Sequence, residues 1–373
     1  MQFIDLKTQY NTFKGAIDAR IHAVIEHGQF IMGPEVQELE EKLAEYAGVK
    51  HCVSVSSGTH SLEIALRALG VGAGDEVITV PFSWISSAEV IPLVGAKPVF
   101  VDIEADTFNM DASKLEAAIS KRTKAIIPVS LFGQMPDLES INAIAAKYDI
   151  AVIEDAAQSF GATRNGKKSC GASLIGSTSF FPAKPLGCFG DGGALFTDDD
   201  NTAQIMRAIR THGGERRHYH THVGTNGRFD TLQAAVILGK WDGFPDEVTA
   251  RGEIGAQYSK LLDGHVVTPK VADGNTHVYA QYTIRVDENK REATRETLKK
   301  AGIPTGVYYP KCFHEQPVFA DLGYKWGDFP ESEKASREVL SLPMHPYLTK
   351  EEIEFVAAEV IKAGGVKKLK AES

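Results

Sequence analysis

Lys184 sits in TSFFPAKPLGCFGDGG, where aromatic and small residues surround a lone cation. Such surroundings can desolvate the amine and favour its neutral, nucleophilic form; the alternative is a surface lysine in a loop. Asp155 closes the apolar run IAVIED, so a strand there would deliver its carboxylate to the carboxyl edge of a sheet, where α/β proteins bind ligands. Glu154 would face the other side of that strand. A carboxylate that only caps the next turn is the competing reading of Asp155. Ser56, Ser57, Gly58 and Thr59 stand where HCVSV gives way to a helical pattern. Free N–H groups and hydroxyls converge at such a junction and the helix dipole favours an anion, although plain capping uses the same residues. Trp84, in PFSWISS after EVITV, offers a flat face for stacking or for a core.

A reactive lysine, a carboxylate, an anion cradle and a flat ring are what a pyridoxal phosphate site requires. The lysine forms the Schiff base, the carboxylate keeps the pyridine nitrogen protonated, the cradle takes the phosphate and the flat group stacks on the ring. Two other patterns lead elsewhere. Residues 70–74, GVGAG, imitate a dinucleotide fingerprint, but they follow a helix and precede a strand, the reverse of what that fingerprint needs, so a helix end and turn is expected. His212, His218, His220 and His222 alternate as metal ligands can, yet no carboxylate or cysteine stands beside them at metal-site spacing. A polar loop is expected, and no metal.

The elements that must position these residues alternate from residue 51 onward. HCVSVSS, EVITV, KPVFV, KAIIPV and IAVIED read as strands, and THSLEIALRAL, SSAEVIPLVG, DASKLEAAISK and DLESINAIAAKYD as helices, the rhythm of βα units with a mostly parallel sheet. Asp111 and Asp137 are good caps, and Pro34 suits a first helical position. After Asp155 comes a Gly- and Ser-rich stretch, then the helix FDTLQAAVILGKW with Pro245 soon after. Strand HVYAQYTIRV, helix REATRETLKKAG and helix TKEEIEFVAAEVIKAG make a smaller α+β unit, giving a large domain over 1–245 and a small one over 246–373. The tail GGVKKLKAES reads as a frayed terminus.

Composition agrees with two domains: 373 residues, 43% hydrophobic, support a sizeable core. The net charge of −9, with 40 basic and 49 acidic residues scattered along the chain, disfavours a nucleic-acid binder. Cys52, Cys170, Cys188 and Cys312 form no CxxC pair, which fits reduced thiols. With no signal peptide or membrane-length apolar run, a soluble cytoplasmic protein is expected.

The strings GQFIMGPEV, SSGTHSLEIAL, GDEVITVPFSW, VIEDAAQSFGA, SFFPAKPLGCFGDGG, GTNGRFDTLQAA and SLPMHPYL, in this order over almost the whole chain, resemble the DegT/DnrJ/EryC1/StrS family of pyridoxal phosphate-dependent nucleotide-sugar aminotransferases. The resemblance implies the aspartate aminotransferase-like α/β fold. It also implies Lys184 as the Schiff-base lysine, Asp155 at the pyridine nitrogen, Gln158 beside the ring and Trp84 stacked on it, with Ser57, Gly58, Thr59 and Ser179 at the phosphate. Asn226 would reach the phosphate of a partner subunit, making a homodimer part of the expectation. Within the family, GPEV, AIIPVSL, DTLQAA and YAQYT resemble enzymes that install the 3-amino group on UDP-2-acetamido-2-deoxy-3-oxo-glucuronic acid. That implies L-glutamate as donor, pyridoxamine phosphate as the intermediate cofactor form and a role in bacterial surface polysaccharide (lipopolysaccharide O-antigen) synthesis. Another 3-oxo or 4-oxo sugar on dTDP or UDP would use the same core residues. Sugar dehydratases of the family replace the lysine by histidine, so Lys184 favours transamination. Tyr308 stands where relatives often carry histidine, while Tyr309 keeps the family's tyrosine; both would line the sugar pocket. Arg228 is a candidate for a substrate carboxylate or phosphate, its planar fork suiting either, with a structural ion pair as the alternative.

Overall fold

The computed structural model describes residues 1–216 and 218–364; Arg217 and the basic tail from Gly365 onward lie outside the described residues. Seven strands form the central sheet, in the order 51–55, 193–197, 175–179, 151–155, 123–127, 76–79 and 97–100. The strands pair in parallel, except that Gly193–Thr197 runs against both of its neighbours. The strands Glu76–Thr79 and Gly193–Thr197 are buried at every position, as expected of a sheet covered on both faces. Helices Gly58–Ala68, Ser86–Leu93 and Leu138–Ala146 lie between the strands in sequence.

The expected caps form. Asp111 and Asp137 accept from the N–H groups of Ser113 and Ser140 at 3.0 and 3.3 Å, and Pro34 opens the helix Pro34–Ala47. The GVGAG segment is a turn: Gly70 and Gly74 have φ of 68° and 94°, left-handed values that follow the helix end.

Two central strands, Ile175–Ser179 and Gly193–Thr197, were expected only as part of a Gly- and Ser-rich stretch. Their composition answers to crowding. A Cβ on Gly176 would lie 2.3 Å from the Cys170 carbonyl oxygen, and one on Gly193 would lie 2.7 Å from the Ser57 carbonyl. Small residues are required there, which erases the β-branched signature of a strand. Helices Leu6–His27, Asp200–Arg210, Phe244–Leu262 and Pro330–Glu338 also lack an anticipated pattern. In Leu6–His27 only Gln9, Ile17 and Val24 are buried, too sparse a stripe to register as an amphipathic face.

Towards the C-terminus, Tyr282–Arg285 pairs antiparallel with Val339–Leu342. Around this pair Tyr258, Leu298, Val356 and Val360 form a separate core with Tyr282 and Leu340. The expected strand HVYAQYTIRV is shortened to its second half because Tyr279 takes a φ of 42°, and Val278 N–H turns to the Gly133 carbonyl at 2.8 Å instead. The helix Phe244–Leu262 begins at Pro245's neighbour and joins both cores, with Phe244 in the large one and Tyr258 and Leu262 in the second.

Candidate active site

The sheet's carboxyl edge gathers the chemistry. Asp155 ends its strand opposite Ser177; two residues on, Ser179 pairs with Gly193, which pairs on its other side with Val55. Asp155, Ser179 and the turn after Val55 are thereby brought to one edge by register alone.

Lys184 lies in an irregular loop leaving the Ile175–Ser179 strand, with its N–H bonded to the Phe181 carbonyl at 2.8 Å. The residue is half-buried, and its amine is enclosed by protein. Burial lowers the amine's pKa to about 8, opposed by the attraction of the Asp155 carboxylate. Asp155 itself is buried, and burial raises its pKa against the bonds it receives from Ser87 and Ala157 and the nearby charge of Lys184. The Ser87 hydroxyl donates to Oδ2 at 2.7 Å and the Ala157 N–H to Oδ1 at 3.2 Å. Asp155 thus does cap the next turn, and remains aimed at the edge as well. Glu154 points to the other face, where the Ser130 and Ser169 hydroxyls and the Cys170 N–H occupy it at 2.8–2.9 Å.

Gln158 is fixed at both ends of its amide. Its Oε1 accepts from the Phe132 N–H at 2.8 Å, and its Nε2 donates to the Tyr309 hydroxyl at 3.1 Å. Burial drives the Tyr309 pKa well up, so the hydroxyl stays neutral. The Trp84 ring lies 6.2 Å from the Tyr309 ring and is 58% exposed, which excludes core packing and leaves a face open over the site. Tyr308 packs between Tyr309, edge-on at 5.8 Å between rings, and Phe3 at 6.1 Å.

Ser57 caps the helix Gly58–Ala68, accepting from the His60 N–H at 3.1 Å. The Thr59 hydroxyl meets that of Ser86 at 2.6 Å, and Ser179 accepts from the Phe181 N–H at 3.2 Å. A Cβ on Gly58 would lie 2.6 Å from the Ser179 Cβ, so only glycine lets the helix terminus and Ser179 share one cradle. Gly58→Ala is expected to force the two apart and weaken binding of a phosphorylated cofactor at least tenfold, read by equilibrium titration of the cofactor-free protein.

Asn226 and Arg228 are not gathered with these residues. They line a separate cavity of about 380 Å³ with Ser56, Asp191 and Asp230. Arg228 makes no ion pair within 4 Å to another of the described residues. The segment is tied to the cradle from behind, since the Ser56 N–H donates to the Gly227 carbonyl at 2.9 Å. Of the histidines, His220 turns its Nδ1 to the His212 carbonyl at 2.9 Å, at the exposed Gly214–Arg216 and Tyr219–His220 hairpin.

Residues that sequence reasoning passed over are Ser86 and Ser87, which brace Thr59 and Asp155, and Phe132, whose N–H orients Gln158. The signal for the serines was present in WISSAE beside Trp84. Phe132 gave none, because its role comes from its main chain, held at a φ of 59°.

The residues fit a pyridoxal phosphate. A buried carboxylate at the sheet edge stands ready for a protonated ring nitrogen, a glycine-dependent cradle suits a phosphate, and a desolvated amine can take a carbonyl. Fold and site together define an α/β enzyme of the pyridoxal phosphate-dependent aminotransferase class. The chain belongs to the DegT/DnrJ/EryC1/StrS aminotransferase family, whose model matches residues 11–361. It is 52% identical to the UDP-2-acetamido-2-deoxy-3-oxo-D-glucuronate aminotransferase of Pseudomonas aeruginosa, over 96% of this chain and 99% of that protein. Among solved structures, a DegT DnrJ EryC1 StrS aminotransferase from Brucella abortus is 41% identical with a TM-score of 0.94, covering 98% of this chain and 100% of that one. The ntda protein of Bacillus subtilis with bound cofactor PMP is 30% identical with a TM-score of 0.90, covering 97% and 85%.

Proposed function

We propose that this aminotransferase uses pyridoxal phosphate to move an amino group from L-glutamate to the 3-oxo carbon of UDP-2-acetamido-2-deoxy-3-oxo-glucuronic acid, a step toward bacterial surface polysaccharide. The observation that carries the reaction type is the pairing of Lys184, its amine's pKa lowered to about 8 by burial, with the buried Asp155. The 52% identity to the Pseudomonas aeruginosa enzyme supports the sugar.

When bound, the cofactor supplies an electron sink that stabilises negative charge on the carbon losing its proton. Asp155 holds the ring nitrogen protonated by a charge-assisted hydrogen bond. Ser57, Gly58, Thr59 and Ser179 hold the phosphate, and Trp84 covers the ring. Lys184 would anchor the cofactor and would hold and pass a proton at its Nζ beside the reacting carbon, where proximity would supply much of the rate. Tyr309 would border the sugar, with Tyr308 packed edge-on against it and turned toward Phe3.

We read the active form as a homodimer with shared sites, Asn226 and Arg228 serving the partner. Phe30, Ile31, Met32, Phe181, Phe189 and Val223 are exposed apolar side chains of the kind a second copy would cover. No helix among the described residues is long and apolar enough to cross a membrane, and a cytoplasmic location suits a nucleotide-sugar substrate.

Incubation with glutamate alone should convert the bound cofactor to its amine form, and adding the UDP-3-oxo sugar should restore it while releasing the 3-amino sugar. Absence of the glutamate step sinks the transaminase reading. A glutamate step without turnover of this sugar, but with turnover of a 4-oxo dTDP sugar, overturns the substrate.

A further inference from the structure

The loop that carries Lys184, residues 181–190, has no regular secondary structure, yet a proton carrier must be held to within a fraction of an ångström. What holds it is the helix Thr231–Lys240. Near the helix start the Gln233 side chain accepts from the Phe189 N–H at 2.8 Å. At the helix end the Lys240 ammonium donates to the carbonyl of Gly187, three residues beyond Lys184. Gly187 is where the loop doubles back: a Cβ there would lie 2.4 Å from the Pro182 carbonyl oxygen, so the chain on either side of Lys184 is pressed together.

Lys240 is 3% exposed. An ammonium is costly to bury, so its partners matter. Beyond Gly187 it donates to Gln9 Oε1 at 3.3 Å and lies 5.5 Å from the centre of the Phe189 ring. The Gln9 amide in turn donates to both Glu247 oxygens, at 3.1 and 2.9 Å, and the Tyr347 hydroxyl donates to Glu247 as well. Gln9 therefore relays the negative charge of Glu247 to the buried cation, and the network runs unbroken from Tyr347 near the C-terminus to the carbonyl beside the reactive lysine. Apolar residues would fill this space at lower cost, but none could grip the Gly187 carbonyl.

We infer that Lys240 and Gln233 are positioning residues for the amino-transfer step, clamping the Lys184 loop through Gly187 and Phe189. This rests on the transaminase reading for its kinetic part only. Lys240→Met keeps the length and removes the charge and donors; Gln233→Ala, at a half-buried site, removes the milder anchor. In Lys240→Met kcat should fall about 10- to 100-fold with KM for glutamate unchanged, since a displacement of about 1 Å costs on that order. In the cofactor-free protein, amide hydrogen exchange should accelerate in residues 181–190 and remain native in the central strands. Gln233→Ala should show the same pattern to a smaller degree.

Native exchange in 181–190 together with native kcat in folded Lys240→Met overturns the clamp. Where Lys240→Met does not fold, Gln233→Ala decides: local acceleration with lowered kcat supports the clamp, and no change overturns it. If wild-type protein shows no glutamate reaction, the function reading fails, while the exchange measurement still tests the clamp.

Discussion

Replacing Lys184 by alanine is expected to lower turnover by at least about 10⁴-fold, because the proton carrier and the covalent anchor of the cofactor are lost in one change. Two measurements separate this from damage to the fold. Borohydride treatment of the native holoenzyme should fix the cofactor to the peptide containing Lys184, and should fix nothing in the variant. In the cofactor-free native protein, acylation of Lys184 should be half-maximal near pH 8, because burial lowers its pKa to about 8 from 10.5. The sign follows from the neutral amine being the nucleophile: a lowered pKa makes it available at lower pH. Half-maximal labelling near pH 10.5 would show a solvated amine and remove the physical basis for its reactivity.

Asp155→Asn should cost about 10²- to 10³-fold in kcat, the loss typical of removing one preorganised electrostatic contact at the reacting group. The amide oxygen can still accept from the Ala157 N–H, which reaches Oδ1 at 3.2 Å, and the amide NH2 can donate to the Ser87 hydroxyl oxygen in place of the 2.7 Å bond that hydroxyl gives the carboxylate, so the local frame survives. What disappears is the negative charge facing the ring nitrogen. The stability of the cofactor-free variant should not fall. Burial raises the folded-state pKa of Asp155, so its ionised form opposes folding at neutral pH, and a neutral amide removes that penalty. A drop in the melting temperature of the cofactor-free variant alongside the kinetic loss would mean that Asp155 acts as a structural cap first. Comparison with Glu154→Gln is informative. Burial raises the pKa of that carboxylate too, but its two oxygens take three donors, from Ser130, Ser169 and the Cys170 N–H, and an amide with one acceptor oxygen cannot satisfy them all, so Glu154→Gln should act on folding and leave the spectrum of loaded enzyme unchanged.

Much of the site was legible because its parts are local. Asp155 and the Ser56–Thr59 turn stand at the end of apolar runs, and alternation of strands with helices places such ends at one edge, while Lys184 stands out only by the aromatic and small residues around it. The braces were less visible. Ser87 reaches Asp155 across 68 positions and Tyr309 reaches Gln158 across 151, and no local pattern encodes a partner so distant. The helix Leu6–His27 was missed for a related reason: its few buried residues face the Thr231–Lys240 helix, and that neighbour, rather than its own periodicity, makes it fold.

By itself, then, the sequence determined the α/β class through strand alternation, and singled out Lys184 and Asp155 as candidates whose roles the family resemblance, not residue type alone, assigns. Only the tertiary structure decided that Ile175–Ser179 and Gly193–Thr197 are central strands, and that Trp84 stays open while Tyr308 turns to Phe3. It also decided that Asn226 and Arg228 line a cavity apart from Lys184. The physical reason is close packing: at Gly193 and Gly58 the neighbouring atoms leave no room for a side chain, and those neighbours, Ser57 and Ser179, come from remote parts of the chain.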